Sequence, residues 1–158
     1  MKFALKLTFL MLCTNASVAS EVEDLIKVTP GTVSEISGKS VGGPFEFLRV
    51  PTPSHELSIV FPDLEVMISR EGKTIIGVSA KRAFLSKSDC EKSQGLVRKV
   101  LSNAFSSTYS GSDPRWQFQT SDSSITAGAL CSGAKPYPVL RLDVTHTETN
   151  NEIMKRFR

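Results

Sequence analysis

From Ser88 to Phe105 the apolar residues recur at helical spacing, and on both sides of that stretch they alternate with a period of two. Leu96, Val97, Val100, Leu101, Ala104 and Phe105 form one stripe, and Cys90 falls on it as well. Ahead of the helix, Leu57, Ile59 and Phe61 alternate with Ser58 and Val60, and Pro62-Asp63 makes a turn. Val66 and Ile68 follow, then a turn at Glu71-Gly72, then Ile76, Val78 and Ala80. Behind the helix, Trp116 and Phe118 alternate with Gln117 and Gln119, and residues 121–124 turn the chain. Ile125, Ala127, Ala129 and Cys131 share one face of the next strand, and Leu140, Leu142 and Val144 one face of the last. A helix between two groups of strands predicts an α+β fold: an antiparallel sheet of about five to six strands with one main helix across one face. The polar residues alternating through the strands predict a second face open to water.

Three pairs, Thr32 with Glu35, Ser88 with Glu91 and Thr149 with Glu152, have the spacing of a capping box, in which each side chain satisfies the other's orphan backbone N–H. They predict a short helix ending at Gly38, the start of the main helix, and a short C-terminal helix. The Gly/Pro/Ser-rich stretch 37–54 reads as a connection into the sheet.

The first nineteen residues have the build of a cleavable signal peptide. Lys2 and Lys6 give the positive start, Leu7 to Cys13 the apolar run, and Ser17 and Ala19 the small residues a signal peptidase requires. The run is too short for a membrane anchor, which needs roughly 20 apolar residues. Leu12 ahead of Cys13 stands where lipoprotein processing wants a small residue. The expected organisation is a leader at 1–19 and one domain at 20–158: a short helix and irregular lead-in at 20–54, sheet and main helix at 55–147, and a short basic helix at 148–158.

Export changes how charge and cysteines are read. The chain has 19 basic and 16 acidic residues, and losing Lys2 and Lys6 with the leader brings the net charge from +3 to +1. Lys155, Arg156 and Arg158 sit together at the C-terminus, so no basic stripe is left for nucleic acid. Cys90 and Cys131 remain, and in an oxidising compartment they are expected to pair, with two independent buried thiols as the alternative. The spacing of a redox CxxC or a zinc site is absent.

Motifs for catalysis are missing. The chain holds no Gly-x-Ser-x-Gly, His-Glu-x-x-His, phosphate loop or dinucleotide fingerprint. Of the two histidines, His55 enters the first strand and His146 ends the last. Glu46, Glu56, Asp63, Glu65 and Glu71 around the first hairpin leave a carboxylate site open, since such chemistry depends on separations that sequence does not supply.

Two loops carry candidate binding residues. Residues 106–115 are small and polar, carry Tyr109, and deliver Arg115 and Trp116, residue types that dominate protein–protein hot spots. After Cys131 the chain reads Ser132-Gly133-Ala134-Lys135-Pro136-Tyr137, which offers Lys135 and Tyr137.

The run Thr32-Val33-Ser34-Glu35-Ile36 through Val50-Pro51-Thr52-Pro53, followed by a hairpin and a Cys90-led helix, resembles small exported bacterial proteins over about residues 30–145. That resemblance implies a bacterial envelope home and brings no activity with it. Residues 132–137 are similar to the Ser-Gly-x-x-Tyr loop with which C-type lysozyme inhibitors enter the lysozyme cleft, with Pro136 placing Tyr137 one position late. The expected function is thus a non-catalytic periplasmic protein that binds another envelope or secreted protein, as an immunity protein or hydrolase inhibitor does, without cofactor or nucleic acid. Secretion beyond the cell is compatible with the same leader. The alternatives are an envelope module binding a small ligand or cell-wall component, which predicts a concave pocket lined by Trp116 and Phe118, and a secreted carboxylate enzyme.

Overall fold

A computed structural model describes residues 22, 25–26, 28–32, 39–40, 45–133 and 137–156. The signal peptide, the helix expected from Thr32 to Gly38 and Lys135 lie outside the described residues, apart from Thr32 itself.

The fold is α+β. Eight strands form one antiparallel sheet: β1 (Lys39–Ser40), β2 (Phe45–Pro51), β3 (Asp63–Ser69), β4 (Ile75–Ala83), β5 (Ser107–Thr108), β6 (Phe118–Gln119), β7 (Ile125–Ser132) and β8 (Val139–His146). Their order is β1-β2-β3-β4-β8-β7-β6-β5, two meanders joined where β8 returns beside β4. Three helices are described: α1 (His55–Ser58), α2 (Lys87–Ala104) and α3 (Thr147–Arg156).

The strand count exceeds expectation because the first hairpin begins earlier. Phe45–Pro51 pairs along its whole length with Asp63–Ser69, although Gly42, Gly43 and the prolines around it read as a loop. The expected strand at 57–61 is helical instead. Ser54 accepts a hydrogen bond from Leu57 N (3.3 Å) and starts α1, and the turn continues through Phe61 N to Leu57 O (2.8 Å). The segment carries both an alternating pattern, Leu57, Ile59 and Phe61, and an i, i+3, i+4 pattern, Leu57, Val60 and Phe61. The helical one prevails, burying those three and leaving Ile59 65% exposed. Arg82 then clamps the segment by donating to the carbonyls of Ile59 and Val60, both at 3.0 Å.

The cap of α2 lies two residues before the expected one. Ser86 accepts from Asp89 N (3.1 Å) and its hydroxyl donates to the Asp89 carboxylate (2.7 Å), so Ser86 and Asp89, not Ser88 and Glu91, form the N-terminal pair. Cys90, Val97 and Leu101 are buried, as is Phe105 at the C-cap, while Leu96 turns outward. They meet Val66, Ile68, Val78, Ala80, Ala127, Ala129, Leu140, Leu142 and Val144, the apolar parity of the sheet. Helical residues Val22, Leu25 and Ile26 complete this core, which the strand patterns did not reveal. The Cys90–Cys131 disulfide is formed, with Cα atoms 6.1 Å apart, and ties the first turn of α2 to the end of β7.

α3 begins at Thr147 rather than at Thr149. Thr149 lies inside its first turn, where its hydroxyl meets His146 Nδ1 at 2.8 Å. The His146 ring packs against Gly31, where a Cβ would collide with it, and the positive φ of 92° there also favours glycine. Among the described residues no helix is long and apolar enough to cross a membrane.

Candidate functional site

The other face of the sheet is polar and carries a groove of about 550 Å³. Strand parity builds its floor: with Val78, Ala80, Leu140, Leu142 and Val144 pointing into the core, Gly77, Ser79, Lys81, Arg141, Asp143 and Thr145 must face the opposite way. Register sets these side chains in rows, with Gly77 opposite Thr145, Ser79 opposite Asp143 and Lys81 opposite Arg141. Met67 stands beside Gly77 and Glu65 beside Ser79, so β3 extends the first two rows. Phe47 flanks this side, and Thr147, Asn150 and Asn151 of α3 close one end.

The opposite wall is the segment from Tyr109 to Trp116, and its position follows from one missing side chain. The carbonyl of Arg115 rests on Gly128, where a Cβ would collide with it. Because β6 is only two residues long, β7 beyond Ala127 lacks a strand partner on that side, and side chains fill the gap. Gln117 N donates to Ala127 O (3.0 Å), and Ala129 N donates to Gln117 Oε1 (2.8 Å). Gln117 Nε2 in turn donates to the carbonyls of Pro114 (2.7 Å) and Arg115 (3.0 Å), locking the bend. Tyr109 N reaches Gln117 O at 3.0 Å, and the Tyr109 ring folds over Gly111.

Of the five binding residues expected from sequence, Tyr109, Arg115 and Trp116 come together on this wall. Trp116 is half-buried at the rim, with the Arg115 guanidinium 5.9 Å from its ring centroid. Phe118 does not join it: that side chain points through the sheet and packs on the core. Tyr137 is 58% exposed and lies in the connection from β7 to β8, outside the groove lining. That connection begins after Ser132, four residues along β7 from Gly128, or about 13 Å at the usual rise. Of the acidic residues around the first hairpin, Glu65 alone lines the groove. Glu46 is ion-paired with Lys73 at 2.6 Å.

The charges of the groove hold one another in place. Asp113 grips Arg115 through both carboxylate oxygens, with Nε at 3.0 Å from each. These bonds, with that from Arg115 N, hold the Asp113 carboxyl below the usual carboxylate range and raise Arg115. Asp143 is bound by Arg141 Nε at 2.6 Å, yet burial on the floor pushes its pKa up against the pull of Arg141, Lys81 and Arg115. Glu65 and Lys81 make no ion pair among the described residues.

Lys81, Arg141, Asp143 and Ser79 were legible as the wet parity of their strands but not as one site, because that needs the register between β4 and β8, which are far apart in sequence. Among the described residues no group of three metal-ligating side chains assembles. No histidine lines the groove: His55 is exposed on α1, and His146 is engaged with Thr149. No protein-family model, curated protein or solved structure matches this chain.

Proposed function

We propose that the chain is exported to the periplasm by the leader at 1–19 and that its domain is a non-catalytic binding protein. It holds a segment of another envelope or secreted protein in the groove, in the manner of an immunity protein or hydrolase inhibitor. In this reading the sheet is a platform backed by one main helix, and the groove in front is the working surface. The observation that carries it is the docking of the Arg115 carbonyl on Gly128, which fixes a wall of Tyr109, Trp116 and the Arg115–Asp113 ion pair over a charged floor. Tyr, Trp and Arg on a rigid support contribute most to protein–protein affinity, because little side-chain freedom is lost on contact.

Affinity purification of the tagged protein from its native envelope tests this. One stoichiometric protein should be retained, and Trp116→Ala or Arg115→Ala should lower its recovery at least tenfold. Recovery unchanged in both variants refutes the groove as the binding surface.

A second reading, a small ligand or cell-wall component, is favoured by the concavity itself. A volume of about 550 Å³ falls within the range of small-molecule sites. Ser79, Thr126, Thr145, Thr147, Asn150 and Asn151 supply it with neutral hydrogen-bonding groups. Soluble peptidoglycan fragments would then raise the melting temperature of the wild-type protein and leave that of Trp116→Ala unchanged.

A further inference from the structure

We propose that the groove accepts an uncharged segment of the partner protein, one whose inward side chains are amides and hydroxyls, and rejects segments that bring a charge to its floor. This names the chemistry of the occupant and rests on the protein-binding reading above.

Among the described residues the lining holds three cations, Lys81, Arg115 and Arg141, and three carboxylates, Glu65, Asp113 and Asp143. All six already face an opposite charge. Asp113 holds Arg115 through both oxygens, and Asp143 is bound by Arg141 Nε at 2.6 Å. Lys81 attracts the same Asp143 carboxylate from the neighbouring row. Arg49 of β2 stands directly opposite Glu65 in the β2–β3 register. The groove is thus balanced within itself, and its charge gives no preference to an acidic or a basic occupant.

Covering the floor removes water from it. The internal pairs keep their partners when that happens, whereas a charged side chain of the occupant arrives without one and loses its hydration uncompensated. The floor is already poorly hydrated, since burial is the largest influence on Asp143 and outweighs the pull of Arg141, Lys81 and Arg115. An amide or hydroxyl side chain needs only hydrogen-bond partners, and the groove supplies them. Ser79 lies on the floor beside Asp143, and Thr126 stands opposite Thr145 in the β7–β8 register. Thr147, Asn150 and Asn151 line the end formed by α3. Each of these side chains both donates and accepts. Trp116 and Tyr109 on the wall offer apolar surface to the methylenes of the same occupant.

Trp116 is the only tryptophan in the chain, so its fluorescence reports on the groove. The exported protein, purified from the periplasm, is titrated with the capped peptide serine-asparagine-glycine-glutamine-threonine. Two analogues carry lysine, or glutamate, in place of both amides. The amide peptide should bind about tenfold more tightly than either analogue, with the same affinity at about 0.1 and about 0.5 M sodium chloride. Lys81→Glu, at an exposed position, breaks the balance, and in that variant the lysine peptide should bind about fivefold more tightly than the glutamate peptide. A charged analogue that matches the amide peptide, an affinity that falls with salt, no binding at millimolar concentration, or a Lys81→Glu variant without preference for lysine overturns the inference. So does an uncharged oligomer of N-acetylglucosamine that changes the fluorescence while the amide peptide does not, which assigns the groove to a glycan. If a partner is captured and lost with Trp116→Ala while the three peptides bind alike, only this inference fails. If no partner is captured, the reading beneath it fails.

Discussion

Asp122 shows how a single side chain sets a turn in this protein. Its Oδ1 accepts from Ser124 N (3.0 Å), Ser124 Oγ (2.8 Å) and Thr120 Oγ1, so the link from β6 to β7 closes around one carboxylate, with Ser123 at a positive φ of 59°. Bonds from Thr120 first, and then from Ser124, lower its pKa from 3.8 to about 2. A depressed carboxylate contributes stability above its unfolded pKa and loses it as pH falls through the folded one. The contribution is therefore complete above pH 3.8 and gone below about 2. Screening at this exposed site reduces it to about 1 kcal/mol. Asp122→Asn should cost that amount at neutral pH and flatten the stability curve in acid, as read from urea denaturation at a series of pH values. Asp143 runs the other way. Its raised pKa favours the folded state in acid, and that contribution declines as pH rises through the folded value, so the two groups partly cancel.

The elements differ in how far local sequence fixes them. Ser86, with its hydroxyl between Asp89 N and the Asp89 carboxylate, caps α2, whereas Ser88 lies inside the helix. Ser86→Ala should lower stability by about 1 kcal/mol and Ser88→Ala by no more than about 0.3, measured by thermal or chemical unfolding. The stripe of α2 and the β7 and β8 alternations were legible because each follows from neighbours a few residues away, and the cysteine pairing because only Cys90 and Cys131 remain once the leader is set aside. The stretch 55–61 was not, since it fits two periods and the choice falls to the Ser54 cap and the Arg82 clamp, the latter from the far end of β4. β2 was hidden by the glycines and prolines that flank it, and its identity comes from β3, its partner in the sheet. The candidate site divides in the same way: Tyr109, Arg115 and Trp116 stood out by residue type, while the charged floor exists only through the β4–β8 register.

At the scale of the molecule, the two meanders meet at β4 and β8, with α2 behind them and the groove in front. The disulfide closes a separation of 41 residues that contains most of α2, β5, β6 and most of β7. The groove wall from Tyr109 to Trp116 falls inside that closed segment. In the chain-entropy account such a closure stabilises the fold by about 4 kcal/mol. Reduction should lower the denaturation midpoint by the corresponding amount. It should also weaken partner retention, since the helix and the docked wall lose their shared tether.

The central claim is that the open face of the sheet, between β4, β8 and the docked wall, is where a partner protein sits. A photo-activated cross-linker placed at Ser79 on the groove floor, in cells that make the protein natively, tests it most directly, with the same group at exposed Lys99 on α2 as the control. The account predicts one dominant cross-linked protein from Ser79, absent from Lys99 and lost with Trp116→Ala. Cross-linking from Lys99 but not from Ser79 would place the partner on the helical side and contradict it.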